Sequence, residues 1–312
     1  MRHFSAEEIK GIWGTVMLPI LKDQSIDWEV LEESLKFTLK AGLNGIYTNG
    51  SAGEFHNQTE EEFEKVSEIV AKNAGNASVP FQLGCGHPNP LISLERIKRV
   101  KSFSPCAIQV ILPDWIVLNK KEVLYFLEKL ANAAAPIGLV IYNPPHAKQK
   151  LLPKDYAAFL MEDLPIIGCK SAGGDDDWYA EMNNLPKPFS FFIPGHKMVT
   201  GINLGAKGSY SNIACLHPLA AVRWYRMMQQ NPKQAKLIEK QLLVFFEEEI
   251  FPLILEEKFS DVAIDKFLAS IGNWSATGTR LRWPYIGIDP ERSFEKRIAL
   301  IKYVPELFNV DN

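Results

Sequence analysis

Between Ile12 and Ser211, short apolar runs alternate with amphipathic stretches, and the alternation repeats eight times. The runs are Ile12 to Ile20, Gly45 to Thr48, Val79 to Gly84, Ala107 to Leu112, Ile137 to Tyr142, Ile166 to Lys170, Phe189 to Ile193, and Gly208 to Ser211. Helical signals fall between them. Asp27 caps a stretch through Lys40 whose apolar positions Val30, Leu31, Leu35 and Leu39 follow helical spacing. Thr59 and Glu62 form a capping box. Further helices are expected over Ile92 to Phe103, Lys120 to Ala134, Pro153 to Met161, near Asp176 to Asn183, and over Met198 to Leu204. Buried runs joined by helices are what a parallel sheet requires, and eight such units predict a sheet closed on itself, a (β/α)8 TIM barrel of the α/β class. A doubly wound open sheet has fewer strands and a glycine-rich turn after the first. Here the first run exits through Val16-Met17-Leu18-Pro19 with no such turn.

Beyond about Leu219 the pattern turns all-helical, with helices expected over Ala220 to Gln230, Pro232 to Leu255, Ser260 to Ile271 and Ser293 to Leu300. The expected division is a barrel carrying the site over residues 1–230 and a small C-terminal helical domain over 231–312. A net charge of -3 calls for neither nucleic acid nor an anionic membrane as partner. No apolar run reaches membrane-spanning length, and the N-terminus lacks the apolar core of a signal peptide. Cys85, Cys106, Cys169 and Cys215 form no C-x-x-C pair and are expected as buried, reduced thiols, which fits a cytoplasmic location.

In a barrel the reactive groups gather at the C-terminal ends of the strands. Those ends here carry Gly50-Ser51-Ala52-Gly53-Glu54, Trp115, Tyr142, Lys170, Gly195-His196, and Gly208 to Ser211. Lys170 closes an apolar run, where an ammonium without a partner costs several kcal/mol or loses its proton. A lysine of lowered pKa is the nucleophile that forms a Schiff base with a carbonyl. Tyr142, one strand earlier, is a candidate proton carrier. The six histidines are scattered without metal-ligand spacing, so no metal and no cofactor are expected, and a metal-dependent barrel hydrolase is disfavoured.

Three segments together, Gly50-Ser-Ala-Gly-Glu54, Tyr142-Asn143-Pro144-Pro145 and Gly168-Cys169-Lys170, resemble the dihydrodipicolinate synthase / N-acetylneuraminate lyase family of class I, Schiff-base aldolases. The likeness runs from about Gly11 to Pro252. It implies that Lys170 forms an imine with pyruvate or another 2-oxo acid, and that Tyr142 moves protons at the carbonyl and the aldehyde oxygen. It implies that the Ser51 hydroxyl lies on the Tyr142 proton path. Backbone N–H groups of Ser51 and Ala52 would hold the keto-acid carboxylate, and Tyr210 would turn its backbone carbonyl toward the site. It also implies a homotetramer or homodimer. Gly195 and Trp115 complete the expected substrate contacts.

The sequence departs from the family's synthases at three places. Ala52 replaces a second threonine. Trp115 stands where a tyrosine reaches a neighbouring subunit's proton relay, and Ala147 stands where an arginine meets a substrate carboxylate. A tryptophan relays no hydroxyl proton, and alanine offers no fork for a carboxylate. Trp115 is therefore expected as an apolar wall for an aromatic or deoxy substrate. The alternatives on the same imine are a hydratase-aldolase, dehydratase or deaminase of a longer 2-oxo acid. A non-catalytic 2-oxo-acid-binding barrel is the rival of another class. Blander expectations accompany these. Glu54 reads as a helix-start carboxylate, Asp175 to Asp177 as an exposed helix start, and His146, Lys148 and His196 as solvated loop residues.

Overall fold

The computed structural model describes residues 2–308. Eight parallel strands close into a barrel in sequence order, β1 through β8 with β8 pairing back to β1. The first half runs β1 Gly11–Thr15, α1 Trp28–Lys40, β2 Gly45–Thr48, α2 Glu60–Ala77, β3 Phe81–Gly84, α3 Pro90–Val100, β4 Ala107–Val110 and α4 Lys120–Ala134. The second runs β5 Leu139–Tyr142, α5 Pro153–Met161, β6 Ile166–Lys170, α6 Asp176–Asn183, β7 Ser190–Pro194, α7 Met198–Asn203 and β8 Gly208–Tyr210. Helices then follow without interruption by strands: α8 Asn212–Leu216, α9 Pro218–Gln230, α10 Pro232–Phe245, α11 Phe251–Leu255, α12 Asp261–Gly272, α13 Ser293–Tyr303 and α14 Pro305–Phe308. No helix among the described residues is long and apolar enough to cross a membrane.

The chemistry of the helix ends explains their positions. Asp27 accepts from the Val30 N–H, and Thr59 and Glu62 cap each other's backbone donors at the start of α2. Two apolar zones result. The larger lies between strands and helices; the smaller fills the barrel with Trp13, Tyr47, Val140, Phe192 and Tyr210 among others. Trp13 leaves no space for a side chain at Gly45, where an added Cβ would meet the indole at 2.4 Å.

Two expectations about elements change. Ser211 is not the end of the eighth strand; its hydroxyl accepts from the Ala214 N–H and starts the short helix α8. The single helix expected from Pro232 to Leu255 breaks into α10 and α11 around a π-turn at Phe246–Ile250, where the Phe251 N–H bonds the Phe246 carbonyl. Pro252 lacks an N–H and its ring crowds the carbonyl four residues back, which the wider turn relieves. The four cysteines are free and buried.

Candidate active site

Tyr142 and Lys170 are register partners on the adjacent strands β5 and β6. Residues side by side on parallel strands face the same way, so both side chains enter the barrel mouth together. Lys170 Nζ stands 4.2 Å from the ring centre of Tyr142, 5.0 Å from that of Tyr47 and 5.7 Å from that of Tyr210. It also donates a hydrogen bond to the Tyr47 hydroxyl at 3.3 Å. Three aromatic faces thus surround one ammonium, an arrangement that favours its charged form.

The lowered lysine pKa expected from the sequence is not what this box produces. Burial pulls Lys170 down, but the phenols of Tyr47 and Tyr142 and the carboxyl of Asp265 pull harder the other way, and the net direction is upward. The phenols act electrostatically only when ionised, and burial pushes Tyr47 up to about 12. At neutral pH, with the phenols protonated, burial and the Asp265 carboxyl act in opposite directions on the Lys170 ammonium, which must shed a proton before it can attack a carbonyl.

The Ser51 hydroxyl donates to the Tyr142 hydroxyl at 3.3 Å, so a hydrogen bond joins these two residues, far apart in sequence. Ser51 and Ala52 are the first two residues of a 3₁₀ turn, Ser51–Gly53. Their N–H groups have no partner within that turn. The Ala52 methyl points away, packing with Met17 and Ala269.

Two cavities meet at this mouth. One of about 330 Å³ holds Lys170, Tyr47, Tyr210, His196, Asp261 and Asp265. The other, about 550 Å³, holds Ser51, His56, Asp114, His146 and Ala147. Tyr142, Pro144 and Asp261 line both, so Tyr142 stands in the partition between them.

The remaining expected site residues fare differently. Tyr210 lines the Lys170 cavity with its ring, but its hydroxyl points into the barrel and donates to Gln82 at 2.7 Å. Trp115 is 83% exposed and lines neither cavity. The Lys148 ammonium lies 5.2 Å over its ring and donates to its carbonyl at 3.3 Å. The expected apolar substrate wall is thus absent from the single chain, because the loop after β4 turns this indole to solvent. Gly195 is buried in the turn after β7, where a Cβ would come within 2.5 Å of the Ser211 hydroxyl. It gives close packing rather than a cavity surface.

Two of the loop residues read as solvated are in contact. His196 stacks on Phe246 and hydrogen-bonds Asn212 at 2.8 Å, and burial beside Lys197 pushes it down to about 4. His146 meets Asp261 at 3.2 Å, joining the loop after β5 to α12.

Glu54 is not a helix-start carboxylate. It has left-handed backbone, with φ of 49°, and is 1% exposed. Its carboxylate receives the fully buried Lys266 ammonium and the Arg282 N–H, while Lys266 also donates to the Arg280 carbonyl at 2.7 Å. This pair fastens α12 over the barrel mouth. Helical spacing on the adjoining face then sets Asp261 and Asp265 one turn apart above Lys170.

Tyr47, Asp261 and Asp265 escape the sequence reading. Tyr47 lies in a short run taken as plain strand, although period-two alternation puts it inward two residues after Gly45. Asp265-Lys266 inside the apolar stretch Val262 to Leu268 is the available signal, since a charged doublet in a buried helix needs partners from outside it.

Residues 8–292 match the dihydrodipicolinate synthetase family. The chain belongs to that family. It is 27% identical over 229 residues to a 4-hydroxy-tetrahydrodipicolinate synthase of Macrococcus caseolyticus, covering 73% of this chain and 76% of that one. It is 25% identical over 206 residues to an N-acetylneuraminate lyase of an Enterobacter species, covering 65% and 68%. In fold it is similar to a prophage protein of the dihydrodipicolinic acid synthase family from E. coli K12, solved in complex with pyruvate. That match has a TM-score of 0.82 at 19% identity and covers 96% of this chain and 99% of the other. The family likeness expected from three short segments therefore extends over nearly the whole chain, and the barrel with its helical C-terminal part is the fold these relatives share.

Proposed function

We propose that this protein is a lyase that forms an imine between Lys170 and pyruvate or a related 2-oxo acid, and that Tyr142 and Ser51 carry protons for the reaction. Membership of the family supports Schiff-base lyase chemistry over a non-catalytic barrel. The observation that carries the reading is the pairing of Lys170 and Tyr142 in one register, with the Tyr142 hydroxyl bonded to Ser51. Lys170 gives up its proton and attacks the keto carbon, and loss of water leaves a protonated imine. That cation is an electron sink, stabilising an enamine at C3 that attacks an aldehyde, or that forms when a longer 2-oxo acid is cleaved. Tyr142, standing between the two cavities, transfers the proton at the aldehyde oxygen. The free N–H groups of Ser51 and Ala52 bind the keto-acid carboxylate. Residues 231–308 serve as a helical unit that roofs the site through α12.

The aldehyde partner carries no second carboxylate. Among the described residues no arginine lines either cavity, Ala147 offers no donor, and Asp114 and Asp261 add negative charge to the lining. With pyruvate as donor, neutral aldehydes are expected to react with kcat/KM at least about 10-fold above an aldehyde bearing a carboxylate. Substrate consumption followed by NMR across a panel of aldehydes measures this. A preference for the acidic aldehyde would contradict it.

The assembly is a homotetramer or homodimer. Trp115, Ile116 and Val117 are 83%, 73% and 54% exposed in succession, an apolar patch that a partner subunit would cover. Solution scattering reads the assembly directly, and a fully active monomer would sink this part of the proposal.

A further inference from the structure

We infer that Asp265, on α12, is the base that removes a proton from C3 of the 2-oxo acid once it is bound as an imine to Lys170, and the acid that returns it. This deepens the imine reading and rests on it. The step balances within the site. The carboxylate takes a C3 proton, the C3–H electron pair becomes the C2–C3 double bond, and the C2–N π pair returns to nitrogen as the neutral enamine. The reverse restores the protonated imine.

The argument is one of elimination among the groups around Lys170. Tyr210 has its hydroxyl committed to Gln82 at 2.7 Å, inside the barrel. Tyr47 accepts from Lys170 itself at 3.3 Å. The His196 ring is held between Asn212 and Phe246, and its low pKa makes it a weak base. Cys215 is a buried thiol whose pKa burial raises well above the ordinary range. Asp261 is engaged by His146 at 3.2 Å, which holds its carboxyl below the usual range. Tyr142, which lines both cavities and accepts from the Ser51 hydroxyl, is the group already assigned to the aldehyde oxygen.

Asp265 is left. It lines the Lys170 cavity and is half-buried. The thiol of Cys215, a weak donor, lies beside its carboxylate. The helix that carries it cannot drift, because Lys266, the next residue, is buried against Glu54, and Ala269, one turn on, packs on Ala52. Burial, with the like charge of Asp261 adding to it and Lys170 opposing, moves its carboxyl from 3.8 to about 7. A base near the ambient pH both takes and returns a proton efficiently. Two carboxylates one helical turn apart with divergent affinities for a proton are a recurring acid–base arrangement.

The test needs no aldehyde. The full-length protein is incubated with pyruvate in D₂O, and the methyl signal is followed by proton NMR. In parallel, borohydride trapping followed by mass spectrometry reports the imine. The wild-type protein is expected to wash out the methyl protons. Asp265→Asn is expected to keep the adduct while its wash-out falls at least about 100-fold, and Asp265→Glu to recover part of the rate. A merely structural role for Asp265 would lower adduct and exchange together. Exchange unchanged in a trapped Asp265→Asn protein overturns this inference alone, as does loss of the adduct in that variant when the wild type forms one. Absence of an adduct in the wild type overturns the imine reading and this inference with it. Should Asp265→Asn fail to fold, by circular dichroism, Asp265→Glu decides: a slowed exchange on an intact adduct supports the role, and an unchanged one overturns it.

Discussion

Glu54→Ala is expected to destabilise the fold by about 3–5 kcal/mol, because it leaves the Lys266 ammonium buried without its counter-charge. Both partners are out of solvent, at 1% and 0% side-chain exposure, so water cannot replace the lost interaction. Burial already lowers the Lys266 pKa, and Glu54 is what opposes that shift. With alanine at 54 the ammonium either stays charged at high cost or loses its proton. The Arg282 N–H, which also donates to Glu54 at 3.0 Å, loses its acceptor at the same time. The effect reaches function, since the pair joins the turn after β2 to α12 and so sets the height of Asp261 and Asp265 over Lys170. Chemical denaturation of wild type, Glu54→Ala, and the double variant Glu54→Gln/Lys266→Met measures it. The double variant is expected to be more stable than Glu54→Ala, since removing both charges leaves no buried ion unpaired. A loss below about 1 kcal/mol in Glu54→Ala would mean that α12 is held by other contacts.

Lys170→Ala is expected to reduce turnover to background, at least about 10⁴-fold, with the fold intact. No other amine lies in the aromatic box of Tyr47, Tyr142 and Tyr210 among the described residues, so none can supply the imine nitrogen there. Shape is not the issue: alanine removes a half-buried side chain from the end of β6 without touching the strand ladder. Steady-state kinetics with the best aldehyde of the panel, together with circular dichroism, checks both halves. Retained turnover would move the nucleophile elsewhere.

Much of the architecture was legible because each strand–helix unit announces itself locally. α4, α5, β6 and α6 fall where their apolar spacing and caps put them, at Lys120–Ala134, Pro153–Met161, Ile166–Lys170 and Asp176–Asn183. Asp27 and Thr59 cap as their neighbours predict. What was not legible is non-local. Glu54 meets Lys266 across more than two hundred residues, and nothing near either one names its partner. Asp265 and Tyr47 reach Lys170 only because the barrel closes and α12 folds back over it. The surroundings of Lys170 are non-local in the same way: a lone lysine ending an apolar run suggests a lowered pKa, whereas the phenols of Tyr47 and Tyr142 and the carboxyl of Asp265, all from other elements, oppose the effect of burial. The π-turn at 246–250 follows from Pro252, a local cause that periodicity alone overrides. Trp115 shows the converse. Its position after β4 suggests a substrate wall, yet a loop residue's direction is set by its own backbone and not by the strand it follows.

The most direct measurement is to incubate the protein with pyruvate and sodium borohydride and map the modified peptide by mass spectrometry. The account predicts one reduced adduct, on Lys170, that is missing from Lys170→Ala. A wild-type protein left unmodified by pyruvate and by longer 2-oxo acids, or modified at another lysine, would contradict it.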